Sequence, residues 1–132
     1  MPRGQSYRDL IVWQMAMNLV TDVYRLVEGF PKTEMFGLAS QLRRAVVAVP
    51  SNIAEGQGRD STREFIHHLS IAYGSLMEAE TQIQIAVNLT YISQTEADQL
   101  IENAAEVGRL MNGLSRSLRQ SLSDNRRLTT DN

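Results

Sequence analysis

The amino-acid sequence predicts an all-α protein, an up-down-up-down antiparallel four-helix bundle, on three observations. Apolar residues recur at alternating spacings of three and four through four segments. Each segment is bounded by residues that start or stop helices. Connections of a few residues make consecutive helices run in opposite directions. Nothing reads as a strand. The expected helices cover about residues 7–28, 34–57, 62–89 and 94–121, in one domain spanning 1–122, with 123–132 as a flexible tail.

The first helix is expected to start after Ser6, whose hydroxyl can cap it, with Asp9 at the reciprocal position of a capping box. Its apolar stripe reads Leu10, Trp13, Met17, Val20, Tyr24 and Val27. Gly29-Phe30-Pro31 ends it, because glycine suits a C-terminal turn and proline cannot continue the ladder.

Thr33 offers a cap for the second helix, whose stripe is Leu38, Leu42, Ala45, Val46, Val49 and Ile53. Pro50 lies inside it, removes one backbone hydrogen bond and predicts a bend. Gly56 and Gly58 are expected to close the segment.

Ser61 and Glu64 form an S-x-x-E box ahead of Phe65, Leu69, Ala72, Leu76, Ala79, Ile83 and Ala86. Ser93 and Glu96 form a further box, with Ile92 placed to staple against Ala97. The fourth stripe is Leu100, Ala104, Val107, Met111, Leu114 and Leu118. Alternating large and small apolar residues favour helices packed about 20° from antiparallel.

Composition supports one soluble domain. The 132 residues are 42% hydrophobic and 21% charged, with no cysteine. Disulfides, thiolate metal sites and cysteine nucleophiles are therefore excluded. The longest aliphatic run, Ala45 to Val49, is far short of the ~20 residues a membrane span needs. Arg3, Arg8 and Asp9 interrupt any signal-peptide pattern, so the expected location is the cytoplasm.

Charge is uneven. The net charge is −2, yet residues 67–108 contain six acids and no Lys or Arg, whereas 109–127 carry five arginines and one acid. An acidic total argues against nucleic-acid binding unless a local patch provides it.

Outer helix faces carry few charges. Residues 45–54 have none, and Arg44, Ser51 and Glu55 line up opposite the core stripe with Ala48 beside them. The third helix has a second row, Ile66, Tyr73 and Met77. Either these faces are exposed and weakly polar, or they are buried against other copies of the chain. The second reading predicts a homo-oligomer.

Residue patterns exclude several chemistries. Glu64 and His67 make a Glu-x-x-His pair, but a di-iron bundle needs two such pairs and the only two histidines are adjacent. No metal site or cofactor is expected. Gly56-Gln57-Gly58-Arg59 lacks the Gly-Lys-Ser/Thr ending of a phosphate loop, and no serine sits in a G-x-S-x-G elbow. Asn52 and Glu55 with Arg43 and Arg44 suggest a buried polar network of structural rather than catalytic kind. The protein is expected not to be an enzyme. Arg109, Arg116, Arg119, Arg126 and Arg127 line the last helix and tail, where they complement the helix dipole. Repeated around an oligomer, the same patch would be a candidate contact for nucleic-acid phosphates.

The run Gln41-Leu42-Arg43-Arg44-Ala45, then Pro50-Ser51-Asn52-Ile53-Ala54-Glu55-Gly56 and Gly58-Arg59, resembles the four-helix bundle proteins encoded in intervening sequences of 23S ribosomal RNA genes. Matches continue through Glu64-Phe65, Leu69, Ile71-Ala72, Gly74-Ser75, Glu78 and Glu80-Thr81. Tyr7-Arg8-Asp9-Leu10 with Trp13, and Phe30-Pro31-Lys32, also look like that family. The resemblance implies a bundle that assembles as a ring, typically a pentamer, with no known catalytic activity. It marks Arg43, Arg44, Asn52, Glu55 and Arg59 as signature polar residues. Some relatives are accessory proteins of diversity-generating retroelements, where a basic pentamer binds nucleic acid and engages a reverse transcriptase. The acidic balance and single lysine set this chain apart from that subgroup. The expected function is a ring-forming protein of protein–protein interaction or scaffolding, with itself as partner. The alternative is a nucleic-acid-binding accessory factor that uses the arginine patches.

Overall fold

The computed structural model describes residues 6–130, and its helices are α1 (Ile11–Val27), α2 (Leu38–Gln57), α3 (Thr62–Asn88) and α4 (Gln94–Thr130). No strand occurs among the described residues.

The first helix begins later than the capping residues predict. Ser6 Oγ accepts the Arg8 N–H at 3.1 Å, but it caps only a 3-10 turn over Tyr7–Asp9. Leu10 then takes an extended conformation, so α1 starts at Ile11. The turn folds the Tyr7 ring edge-on against Trp13, with 5.2 Å between centroids.

The core stripe of α1 is also one residue out of phase with the expected one. Val12, Ala16, Leu19, Val23 and Val27 are buried, whereas Met17 and Tyr24 are exposed and Trp13 and Val20 half-buried. Both sets have helical period. The smaller residues face inward, and the bulkier Trp13, Met17 and Val20 line the α1–α2 surface.

α2 starts at Leu38 rather than at 34. Thr33 lies in a second 3-10 turn, Lys32–Glu34, and Gly37 at the helix N-terminus provides no side-chain cap. Glu34 takes that role, its Oε1 accepting the Leu38 N–H at 3.1 Å. α2 continues through Pro50, and the two residues after it bond back to the preceding turn: Ser51 Oγ to the Val47 carbonyl and Asn52 Nδ2 to that of Ala48, both at 2.8 Å. Gly56 is no terminator. It is buried inside α2, and a Cβ there would stand 2.6 Å from His68 Cβ and 3.0 Å from the Phe65 ring. Only glycine lets α3 pass so close.

Ser61 caps α3 through Glu64 N–H, and the whole expected stripe from Phe65 to Ala86 is buried. The helix ends without glycine. Thr90 adopts φ 61°, while its N–H and that of Tyr91 return to the carbonyls of Val87 and Ala86, each at 2.9 Å. These are the two bonds of a Schellman motif, with a β-branched residue at the left-handed position.

α4 opens with the reciprocal box intact: Ser93 Oγ accepts Glu96 N–H, and Glu96 Oε1 accepts Ser93 N–H, both at 3.1 Å. Ile92 and Ala97 are buried together in the core. The helix does not stop at 121. It runs to Thr130, so most of the expected tail is helical, and 131–132 lie outside the described residues. No Gly or Pro follows Gly113, and the Gln120 amide bonds to Asp124 one turn on, so nothing interrupts the ladder.

Each helix packs against the next in sequence, and α4 closes the square onto α1. The pairings are antiparallel: Asn52 meets His68 while Gln41 shares a groove with Glu78, and Gly108 faces Leu76 while Arg119 lies near Ile66. Leu42, Ile53, Phe65, Leu76, Ile83 and Met111 are the large side chains at the centre of one continuous core. A Leu-to-Ala change at such a site costs about 2–5 kcal/mol.

Candidate interaction surfaces

Arg43, Arg44, Asn52 and Glu55 do not form the buried network expected of them, and with Arg59 the five signature residues are spread over separate contacts. Arg43 reaches back from α2, donating to the Met35 carbonyl at 3.2 Å, with its guanidinium 5.9 Å from the centre of the Tyr24 ring. It pins the α1–α2 connection. Asn52 faces α3, where Oδ1 meets His68 Nδ1 at 3.3 Å. Glu55 and Arg59 pair with each other at 3.1 Å across one exposed helical turn. Such exposed pairs contribute little to stability. Arg44 stands apart and exposed, beside Ala45, Ala48, Ser75 and Glu78 in a shallow groove between α2 and α3. It makes no ion pair among the described residues.

The arginines of α4 divide. Arg109 is engaged by Glu106, its Nε donating at 3.0 Å, and that partner strengthens its hold on the proton. Arg116 and Arg119 are exposed on one wall of a groove whose other wall is α3, lined by Ile66, Ser70 and Tyr73 with Ser115 and Asn112 between them. Neither makes an ion pair among the described residues. Ile66 and Tyr73, expected as an outer row, are half-buried on this α4 side. Arg126 and Arg127 lie farther along α4, where every side chain from Ser123 to Arg127 is exposed. At about 100° per residue, all five arginines fall within roughly one third of the helix circumference.

Histidine is drawn into structure. His68 faces Asn52 as above, and its ring stacks edge-on with His67 at 6.1 Å. Among the described residues no three side chains of His, Cys, Asp or Glu converge as a metal site. No helix of the described residues is long and apolar enough to cross a membrane.

An apolar surface on the α1–α2 face was not among the sequence-derived candidates. Trp13, Met17 and Val20 of α1 stand beside Val47, Pro50 and Ala54 of α2, with Tyr7 at one end. Tyr24 continues the strip toward the α1–α2 connection. There Met35 is half-exposed and Phe36 is 92% exposed. The signal was present as two interleaved helical periods on α1. The bulkier set reads as core because size outweighs phase in a bare apolar pattern.

A model of the 23S rRNA-intervening sequence protein family matches residues 8–113. Among solved structures, the chain is similar to a protein of unknown function from the S23 ribosomal protein family of Bacteroides thetaiotaomicron. The two are 19% identical with a TM-score of 0.75, over 80% of this chain and 96% of that one. At that identity the likeness speaks for the fold alone. No curated protein is significantly similar to the chain.

Proposed function

Because the chain belongs to the 23S rRNA-intervening sequence protein family, we propose that it is a self-assembling, non-enzymatic bundle whose role is to dock protein. The observation that carries this reading is the apolar strip on the α1–α2 face, from Trp13 and Met17 through Tyr24 to Phe36. Trp13 and Tyr24 stand eleven residues apart on α1, so the strip covers about 16 Å of that helix before it reaches the α1–α2 connection. A continuous apolar patch of aromatic residues and methionine is characteristic of protein interfaces. The partner is a further copy of the same chain, and the assembly is a closed ring, of five copies by the resemblance, in the cytoplasm. Light-scattering mass of the full chain at micromolar concentration tests the proposal. A multiple of the 14.8 kDa chain mass is expected, shifting toward monomer in Met17→Glu/Tyr24→Glu. A monomeric wild-type chain would overturn it.

A second reading is favoured by Arg116 and Arg119, which stand without carboxylate partners on a groove that also offers Ser70, Ser115 and Asn112 as hydrogen-bonding groups. In this reading the groove binds the phosphates of RNA or DNA. Repetition of the groove around an assembly multiplies the local field even though the total charge is −2. Binding of this kind weakens steeply with salt.

A further inference from the structure

Phe36 is the large apolar side chain most open to solvent among the described residues. It does not hang on a loose loop. The Met35 and Gly37 N–H groups bond to the carbonyls of Lys32 and Glu34 at 3.1 and 3.0 Å, on either side of Phe36. Arg43 holds the Met35 carbonyl, and Glu34 is held in turn by Tyr91 at 2.7 Å. With the backbone held on both sides of Phe36, docking has only the two side-chain torsions of the ring left to order.

Beside it lies an apolar cleft of about 440 Å³. Buried Val27, Phe30 and Ala39 form its floor, and Tyr24, Pro31 and Met35 rise around them. Phe36 does not line the cleft of its own chain. We propose that Phe36 of one copy seats in this cleft on a second copy, an inference that rests on the self-assembly reading above.

Two features identify the occupant as another copy. Knob and cleft occur together on one chain, so each copy both gives and receives. The rim is charge-complementary to itself: Glu28 and Lys32 are both exposed on it, and neither makes an ion pair among the described residues. Set head to tail, as a ring requires, the rim brings Lys32 of one copy toward Glu28 of the next. Arg43, already over the Tyr24 ring, offers its other face to an incoming aromatic ring. A phenylalanine buries roughly 150–250 Å², well short of the ~800 Å² per partner of a standard interface. The knob therefore acts with the strip along α1, with which its cleft is continuous through Tyr24.

The test uses the full chain and sedimentation over a range of concentrations. Phe36→Asp is expected to weaken assembly roughly thirtyfold or more, the loss typical of a hot-spot aromatic, with an unchanged helical circular-dichroism signal. Phe36→Trp is expected to retain assembly. Phe36→p-benzoylphenylalanine, irradiated in a mixture of isotopically light and heavy chains, should give mixed-isotope crosslinks to residues 24–39. If the wild type assembles and Phe36→Asp assembles equally well, or the crosslinks map elsewhere, this inference is overturned and self-assembly stands. If the wild type is monomeric, both fall.

Discussion

The Tyr91 hydroxyl donates a 2.7 Å hydrogen bond to Glu34 Oε2, tying the turn before α4 to the turn before α2. The other oxygen of the same carboxylate caps α2 at Leu38. Phe30 packs against the Tyr91 ring, 5.6 Å between centroids, and completes the junction.

This junction makes stability depend on pH in a defined direction. The Tyr91 hydroxyl, and then the Leu38 N–H, hold the Glu34 carboxyl below its ordinary range, while Glu34 raises the Tyr91 phenol. A lowered carboxylate pKa adds stability that is complete above the unfolded value, about 4.3, and is lost as pH falls through the folded value. Tyr91→Phe is expected to lower the melting temperature at neutral pH, and the gap from wild type should close in acid. A pH-independent gap would mean that the hydroxyl acts through something other than Glu34.

Two glycine substitutions should move in opposite directions. Gly56→Ala places a methyl group against His68 Cβ and is expected to destabilise by about 1–3 kcal/mol. Gly113→Ala in α4 meets nothing within 4 Å and should stabilise by roughly 0.5–1 kcal/mol through helix propensity. Urea unfolding of both variants measures the pair.

Thr90 holds a left-handed conformation that costs an L residue roughly 1–2 kcal/mol. Thr90→Gly relieves that strain, at the loss of the Thr90 Oγ1 bond to the Leu89 carbonyl. A net gain of about 0.5–1 kcal/mol is expected, read from the denaturation midpoint. A loss would show that the hydroxyl matters more than the backbone.

For the nucleic-acid reading, Arg116→Ala/Arg119→Ala should weaken binding of structured RNA and duplex DNA, measured by fluorescence anisotropy. The salt dependence should fall by roughly 2 in the logarithmic slope, one for each phosphate that an arginine no longer neutralises. Unchanged affinity would show that phosphates bind elsewhere or not at all.

The helices and most of the core were legible in the sequence because period and capping residues act locally. The stripes of α2, α3 and α4 are buried nearly as read, with only Leu38 and Leu114 left half-exposed. The phase of α1 was not legible, since Trp13 and Val12 have equal claim by period and the choice depends on which face α2 and α4 leave open. The start of α2 was hidden because its cap, Glu34, reaches in from outside the helix. The signature residues were identifiable, but not their partners: Asn52 finds His68 sixteen positions away. Phe36 carries no periodic signal at all, because it belongs to a turn.

The length of α4 has a consequence for how the molecule opens. Its first half lies inside the square of helices, with Ala104, Val107 and Met111 almost wholly buried. From Ser123 to Arg127 no side chain is covered. Amide protons near Val107 are then expected to exchange with solvent only when the whole domain unfolds, and those past Leu122 by fraying of the last turns. One unbroken helix thus spans both ends of the exchange timescale. A clamp on its exposed last turns would be read out as slowed exchange there, with no change at its centre.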